Sequence, residues 1–363
     1  MSADGARRVG RGRDPVTRGP SIKFGILGTG RMATTMAATI QNYPGAEVIA
    51  VGSASTDRAG SFASRFGISR SYGELGDFLT DPVIDIVYVA NSSRFHADAC
   101  VAALNAGKNV LCEKPFALDG NQARQVADAA ERSGCFFMEA VWTLILPAYE
   151  RLISSISTES YGEPRYLHFE FGYPAHVENI GRLTAEEDGG VLFDRGCYGV
   201  ALAIKLFGEV TDVFSEFRNA TNVLQLRHEN GVISHIAVSA EALLSNNVSV
   251  GCSQGCVGLG APSIGAERFW STSYSATPQN RQSESGIRNR LRKLPVLRRT
   301  YELLNTPHRH WLPYGADPYA PMLQHVIDRL AAAAQFSDRI PLSLSVATVD
   351  VLDRAKKSHG RSA

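Results

Sequence analysis

From residue 21 onward, short continuous apolar runs alternate with helix-patterned segments for about 120 residues. Ile22–Leu27 is apolar at nearly every position, the pattern of a strand buried on both faces. Gly28-Thr29-Gly30 closes it, and Met32–Ile40 has the Ala, Met and Thr content of a packed helix. Glu47–Val51 predicts a second strand and Asp57–Phe66 a second helix, capped by Thr56 or Asp57. Ile84–Ala90 predicts a third strand, and Phe95–Ala106 a helix that stops at Gly107. Asn109–Cys112, Asn121–Arg132 and Cys135–Met138 add a strand, a helix and a strand. Strands separated by helices imply parallel pairing with right-handed crossovers.

The pattern changes after a helix expected over Leu146–Ser154. Arg165–Phe171, Val210–Phe217, Asn222–Arg227, Ile233–Val238 and Asn247–Cys252 alternate or are β-rich, with short turns such as His228–Gly231, which predicts an antiparallel sheet. One long helix, Gly190–Phe207, lies among them. Helices over Tyr319–Ala333 and Leu344–Lys356 close the chain. The expected fold is an α/β Rossmann domain, residues 21–141, followed by an α+β domain with a mostly antiparallel open sheet, residues 142–363. Residues 1–20 read as a disordered basic arm. Residues 276–315, polar, basic and proline-interrupted, read as an insertion whose His308 and His310 are loop residues.

Composition narrows the class. A chain of 363 residues with 44% apolar and 20% charged residues fits two ordinary globular domains. No apolar run reaches the length of a membrane span. The Arg7–Arg8 pair is followed by no apolar stretch of signal length, so an export signal is disfavoured and a cytoplasmic location is expected. Six scattered cysteines form neither a disulfide framework nor a zinc spacing, and no metal is expected. The formal net charge of +1 hides an uneven distribution. The arm carries +3 and residues 281–313 carry +6, which leaves −8 on the remainder.

Gly28-Thr29-Gly30-Arg31-Met32-Ala33 fits G-x-G-x-x-A between a buried strand and a helix. The first glycine permits a tight turn, the second lets backbone approach a pyrophosphate, and Ala33 allows close helix packing. Dinucleotide binding follows. An NAD site normally places an acid at the end of the second strand. This chain has Val51-Gly52-Ser53-Ala54-Ser55-Thr56-Asp57-Arg58, where Asp57 serves better as a helix cap. Ser53, Ser55 and Arg58 suit a 2′-phosphate, so NADP is expected over NAD. Cys112-Glu113-Lys114-Pro115 lies at the carboxyl end of a parallel strand, where such sheets bind ligands. A lysine there can touch a substrate oxygen and depress the pKa of a neighbouring acid.

The glycine turn, Ala106–Pro115 and Asp188–Tyr198, in that order, resemble the glucose–fructose oxidoreductase/inositol dehydrogenase (Gfo/Idh/MocA) family. The likeness spans residues 21–270 and resumes near 319–360, including Asp338–Ser343. Glu139-Ala140-Val141-Trp142, Pro147 and Tyr198 are similar to the branch of dihydrodiol and xylose dehydrogenases and glucose–fructose oxidoreductase. The resemblance implies that Tyr198 exchanges the proton at the substrate oxygen, with Lys114 and Asp194 as catalytic partners. Asp194 and Tyr198, four apart, would share one face of a helix, and the Lys114 cation would favour a phenolate. The family's nicotinamide-ribose contacts fall on Asn91 and His96, although His96 also reads as a structural histidine. Trp142 would pack at the nicotinamide or fill the domain interface, and the family's Lys–Pro peptide is often cis. The chain departs from the pattern at Asp188, Arg195 and Leu144, all read as changes on the substrate side.

These readings converge on an NADP-dependent oxidoreductase. It would transfer hydride between nicotinamide and a secondary alcohol or hemiacetal carbon of a sugar, polyol or dihydrodiol-like substrate. The alternatives are a nucleotide-sugar ketoreductase, which the basic insertion would suit, and a non-catalytic NADP-binding regulator. A small-molecule substrate and a homodimer or higher homo-oligomer are the expected partners. The insertion reads as a solvated loop or subunit arm, as a lid for an anionic substrate, or least as a nucleic-acid contact.

Overall fold

The computed structural model describes residues 21–158, 161–176, 181, 183–273 and 307–359. The basic arm and residues 276–306 of the expected insertion lie outside the described residues. Six parallel strands form the first sheet: β1 (Ile22–Leu27), β2 (Ala46–Gly52), β3 (Arg70–Tyr72), β4 (Ile86–Val89), β5 (Asn109–Cys112) and β6 (Phe137–Glu139). Their spatial order is β3-β2-β1-β4-β5-β6, the doubly wound arrangement of a Rossmann fold. Phe24, Ile26, Ile86, Val87 and Val89 are fully buried, as expected for strands covered on both faces. The helices are α1 (Arg31–Gln41), α2 (Thr56–Phe66), α3 (Leu75–Thr80), α4 (His96–Asn105) and α5 (Gly120–Ser133). Gly107 follows α4 at φ +74°, the left-handed stop that its position predicts.

A second sheet has the order β14-β13-β12-β11-β7-β10-β9-β8. Its strands are β7 (Pro164–Gly172), β8 (Val210–Arg218), β9 (Thr221–His228), β10 (Ile233–Ser239), β11 (Val248–Cys252), β12 (Gly255–Leu259), β13 (Arg268–Ser273) and β14 (His308–Trp311). β7 and β10 run parallel and the remaining neighbours are antiparallel. Helices α6 (Pro147–Ser157), α7 (Cys197–Phe207) and α9 (Leu342–His359) pack on one face, and α8 (Ala320–Ala331) precedes α9 in the chain. Leu167, Phe169, Leu224, Leu226 and Ile236 point into that layer and are fully buried.

Two local expectations change. His308 and His310 are strand residues, not loop residues, because β14 hydrogen-bonds to β13 at the sheet edge. The α2 cap is Ser55, whose side chain accepts from the Arg58 N–H at 3.3 Å, so neither Thr56 nor Asp57 serves there. Among the described residues no helix is long and apolar enough to cross a membrane.

Candidate active site

The strand order reverses between β1 and β4, the point where open α/β sheets bind ligands. Gly28 leaves β1 at φ +118°, and a Cβ there would lie 2.5 Å from the Ala90 carbonyl oxygen. Only glycine serves that position without strain. A Cβ on Gly30 would meet no protein atom within 4 Å, so the space beside it is open groove. Gly30 is the N-cap of α1 and makes no side-chain cap bond. Two cavities adjoin here, of about 450 and 650 Å³, and share Gly30, Ala90 and Asn91. The first is lined by Arg31, Met32, Asn91, His96, Glu113, Lys114, Trp142, Asp194 and Tyr198, the second by Gly28, Thr29, Ser53 and Arg58. Fourteen of the residues anticipated from sequence therefore fall along one continuous groove, and Ser55 does not line it. Asn91 Oδ1 is buried without a hydrogen-bond partner, a polar atom placed for a ligand donor. Glycine geometry, open helix terminus and orphaned oxygen all fit a dinucleotide.

Lys114 lies on the loop after β5, and the Lys114–Pro115 peptide is cis. Its Nζ donates to the Asp194 carbonyl oxygen at 2.7 Å and to Asp194 Oδ1 at 3.0 Å. It also stands 5.3 Å from the centroid of the Tyr198 ring. Asp194 belongs to a π turn, Leu192–Gly196, and Tyr198 to the first turn of α7. The helix expected over Gly190–Phe207 does start at Gly190, with the π turn set into it before the regular stretch from Cys197, and both residues line the same cavity. Trp142 joins them: its Nε1–H donates to Tyr198 Oη at 3.2 Å, and its ring packs on Tyr319 at 4.9 Å.

The electrostatics differ from the simplest expectation. Burial pushes the Tyr198 phenol well above its ordinary pKa, and the downward pull of Lys114 does not offset it. Lys114 pulls toward the phenolate as expected, but burial outweighs it and favours the neutral phenol. Burial works to lower Lys114, but Asp194, with Tyr198, Cys197 and Glu113, outweighs it and holds the ammonium above its ordinary value. Glu113 is raised by burial, although the Tyr88 hydroxyl bonds to it and Lys114 pulls it down. Beneath this layer, burial raises Glu139 to about 7. Its Oε1 accepts from the Phe116 N–H at 3.1 Å, which ties it to the Lys114 loop. The His96 ring braces two loops, Nδ1 at 2.7 Å from the Pro115 carbonyl oxygen and Nε2 at 3.1 Å from that of Asn91.

Comparison with known proteins agrees with this arrangement. Residues 22–141 match the family model described as oxidoreductase family, NAD-binding Rossmann fold. Residues 149–257 match the GFO/IDH/MocA C-terminal domain. The trans-1,2-dihydrobenzene-1,2-diol dehydrogenase of Xenopus laevis is 32% identical over 237 residues, covering 63% of this chain and 69% of the relative. This chain belongs to the Gfo/Idh/MocA oxidoreductase family. Two solved structures share its fold. A 3-ketoreductase from Actinomadura kijaniata, in complex with NADP and TDP-benzene, has a TM-score of 0.74 at 21% identity, covering 93% of this chain and 97% of that one. A levoglucosan dehydrogenase, in complex with NADH and levoglucosan, has a TM-score of 0.77 at 15% identity, covering 94% and 98%.

Within the Gfo/Idh/MocA frame, the three departures do not all fall on the substrate side. Asp188 Oδ1 accepts from Ser92 Oγ at 3.0 Å, and Arg94 pairs with Glu187 at 2.7 Å. Asp188 thus reaches the loop that lines the dinucleotide groove. Leu144 is 2% exposed and sits in the core rather than the cavity wall. Arg195 is buried beside the wall. Sequence reasoning missed Phe171, Ile264 and Tyr319 in the first cavity and Glu74 in the second. Phe171 closes the alternation of β7 and Tyr319 opens a helix, so period and caps gave their elements but not their partners. Ser55, expected at a 2′-phosphate, spends its hydroxyl on the α2 cap. Among the described residues no group of three or more His, Cys, Asp or Glu could hold a metal ion.

Proposed function

We propose that this chain is an NADP-preferring dehydrogenase acting reversibly on a secondary alcohol or hemiacetal carbon of a sugar, polyol or dihydrodiol-like substrate. The observation that carries the reading is the convergence of Lys114, Asp194 and Tyr198 in one cavity that opens into the glycine-turn groove. When bound, the nicotinamide supplies or takes the hydride. Gly28, Thr29 and Gly30 with the α1 terminus would hold the pyrophosphate, and Asn91 Oδ1 a ribose or carboxamide donor.

The protein's part is the proton. Tyr198 Oη accepts from Trp142, so its own hydrogen is free to point at a substrate oxygen. A neutral phenol donates during carbonyl reduction and must first lose its proton to act in alcohol oxidation. The Lys114 cation and the Trp142 N–H both stabilise the phenolate that results. Asp194 orients Lys114 through two acceptors on one residue.

NADP preference rests on Ser53, just after β2, and Arg58, in the first turn of α2; Glu74, which lines the same cavity, would oppose a phosphate. Titrating the protein with NADPH and NADH by reduced-nicotinamide fluorescence tests it. Arg58→Ala should weaken NADP about tenfold and leave NAD unchanged, the loss expected for one charge-assisted hydrogen bond. Equal affinities in wild type overturn the preference. A panel of dihydrodiols, polyols, aldoses and sugar nucleotides, read by reduced-nicotinamide absorbance, tests the reaction class. Tight cofactor binding without turnover on any of them would favour the regulator.

Two finer expectations join the proposal. All six cysteines are free thiols, which suits a reducing, cytoplasmic compartment. Tyr166, Phe214, Ile233 and Trp311 are exposed on the helix-free face of the second sheet, and a homodimer would cover them.

A further inference from the structure

Arg195 is 8% exposed and does not line the cavity, although it directly follows Asp194. Its Nη1 donates to the carbonyl oxygens of Tyr173, at 2.9 Å, and of Ser239. Those residues stand at the carboxyl ends of β7 and β10, the parallel pair of the second sheet. The same guanidinium lies 4.9 Å from the centroid of the Phe171 ring. Phe171 meets the Tyr198 ring edge-on at 6.1 Å and the Tyr173 ring at 6.2 Å. It lines the cavity with Lys114 and Tyr198.

A buried guanidinium is costly unless its N–H groups are met. An aliphatic side chain would fill the volume without ordering its surroundings. The guanidinium adds direction: its Nη1 bonds to two strand-end carbonyls, and its cation lies over one face of an aromatic ring. Phe171 is thereby clamped between the strand ends and the tyrosine. With Trp142 and Tyr319 it gives the cavity aromatic surface beside the Lys114–Asp194 pair.

We propose that Arg195 is a positioning residue for substrate choice: by fixing Phe171 it shapes a wall that selects cyclic alcohols with an apolar ring face over open-chain ones. This rests on the reading of the cavity as an alcohol site. An open-chain diol offers no ring to stack, so its binding gains little from a fixed Phe171. A cyclic diol loses stacking area as soon as that ring turns.

The test compares trans-cyclohexane-1,2-diol with propane-1,2-diol on the NADP-loaded protein. Dissociation constants come from NMR titration and KM and kcat from absorbance. Arg195→Leu should raise Kd and KM for the cyclic diol about tenfold, the open-chain diol changing by about twofold or less. The change should fall on KM rather than kcat. Arg195→Lys, which keeps a cation near the ring but not the planar fork, should recover part of the selectivity. Phe171→Leu should lower the same selectivity, which keeps the proposal falsifiable if Arg195→Leu fails to fold. Equal losses for both diols, or unchanged selectivity in all three variants, overturn the proposal. If wild type binds both diols but oxidises neither, the alcohol reading fails while the binding ratio still decides the role of Arg195. If it binds neither, both fall.

Discussion

Glu139→Gln isolates the ionisation of one buried carboxyl under the Lys114 loop. Glu139 is 1% exposed; its Oε1 holds the Phe116 N–H, and Ser345, that N–H and Lys114 offset only part of the burial cost. Burial holds it at about 7 against an ordinary 4.5. The folded protein therefore keeps this proton at pH values where the unfolded chain has lost it. The sign follows: Glu139 adds no titration-linked cost below pH 4.5, its cost grows as pH rises from 4.5 to about 7, and above that the folded carboxyl also ionises and the cost stays constant. At 1.36 kcal/mol per pH unit the window is worth about 3 kcal/mol. Glutamine keeps the Oε1 acceptor and cannot ionise. In thermal or urea unfolding of the cofactor-free protein, wild type should lose stability relative to Glu139→Gln between pH 5 and 7.5, with the gap constant above that. Using the difference between the two proteins cancels every other titrating group that the substitution leaves alone. Parallel stability curves across this range would refute the account, as would a gap that narrows with rising pH.

Other expectations concern the site itself. Tyr198→Phe should lower kcat by about 10²–10⁴ without changing cofactor affinity, since it removes the proton and not the groove; stopped-flow and fluorescence titration separate the two. Asp194→Asn should bring the alkaline limb of the kcat/KM profile to lower pH, because burial then acts on Lys114 without its strongest opposing partner. A profile identical to wild type counts against that electrostatic role. Asp188→Ala should weaken dinucleotide binding about fivefold by freeing Ser92 from its acceptor, the worth of one neutral-to-charged hydrogen bond. An unchanged Kd would make the contact incidental.

Much of the fold is readable from hydrophobic period. β1 is buried and uniformly apolar, and the G-x-G-x-x-A turn marks the switch point that it opens onto. β3 is only three residues long, Arg70–Tyr72, and mostly exposed, so no period announces it; the neighbouring β2 supplies its place. β12 and β13 escaped because Gly255, Gly258 and polar residues break the alternation, and the sheet itself supplies the pairing. β14 is exposed at every position and contains His, Arg and Trp, so nothing local separates it from a loop. Site residues adjacent to glycine turns and strand ends were readable because backbone geometry fixes them. Phe171, Tyr319 and Arg195 were not, because their roles depend on which side chains tertiary packing brings opposite them.

The proposed catalytic group is divided between the two sheets. The Rossmann half supplies Lys114 from a strand end, and the second half supplies Asp194 and Tyr198 from the start of a helix. Neither half alone sets the charge of the lysine. Burial in the assembled site works to lower the ammonium, and Asp194 from the other half more than offsets it, holding the lysine above its ordinary value. The same contact keeps the tyrosine within reach of a cation. Its phenol stays neutral until a substrate oxygen and the lysine share the charge that its proton leaves behind. On the proposed mechanism Tyr198 acts as a base only once a substrate oxygen is bound beside the lysine, so the Lys114–Asp194 contact between the halves would serve that step as well as packing.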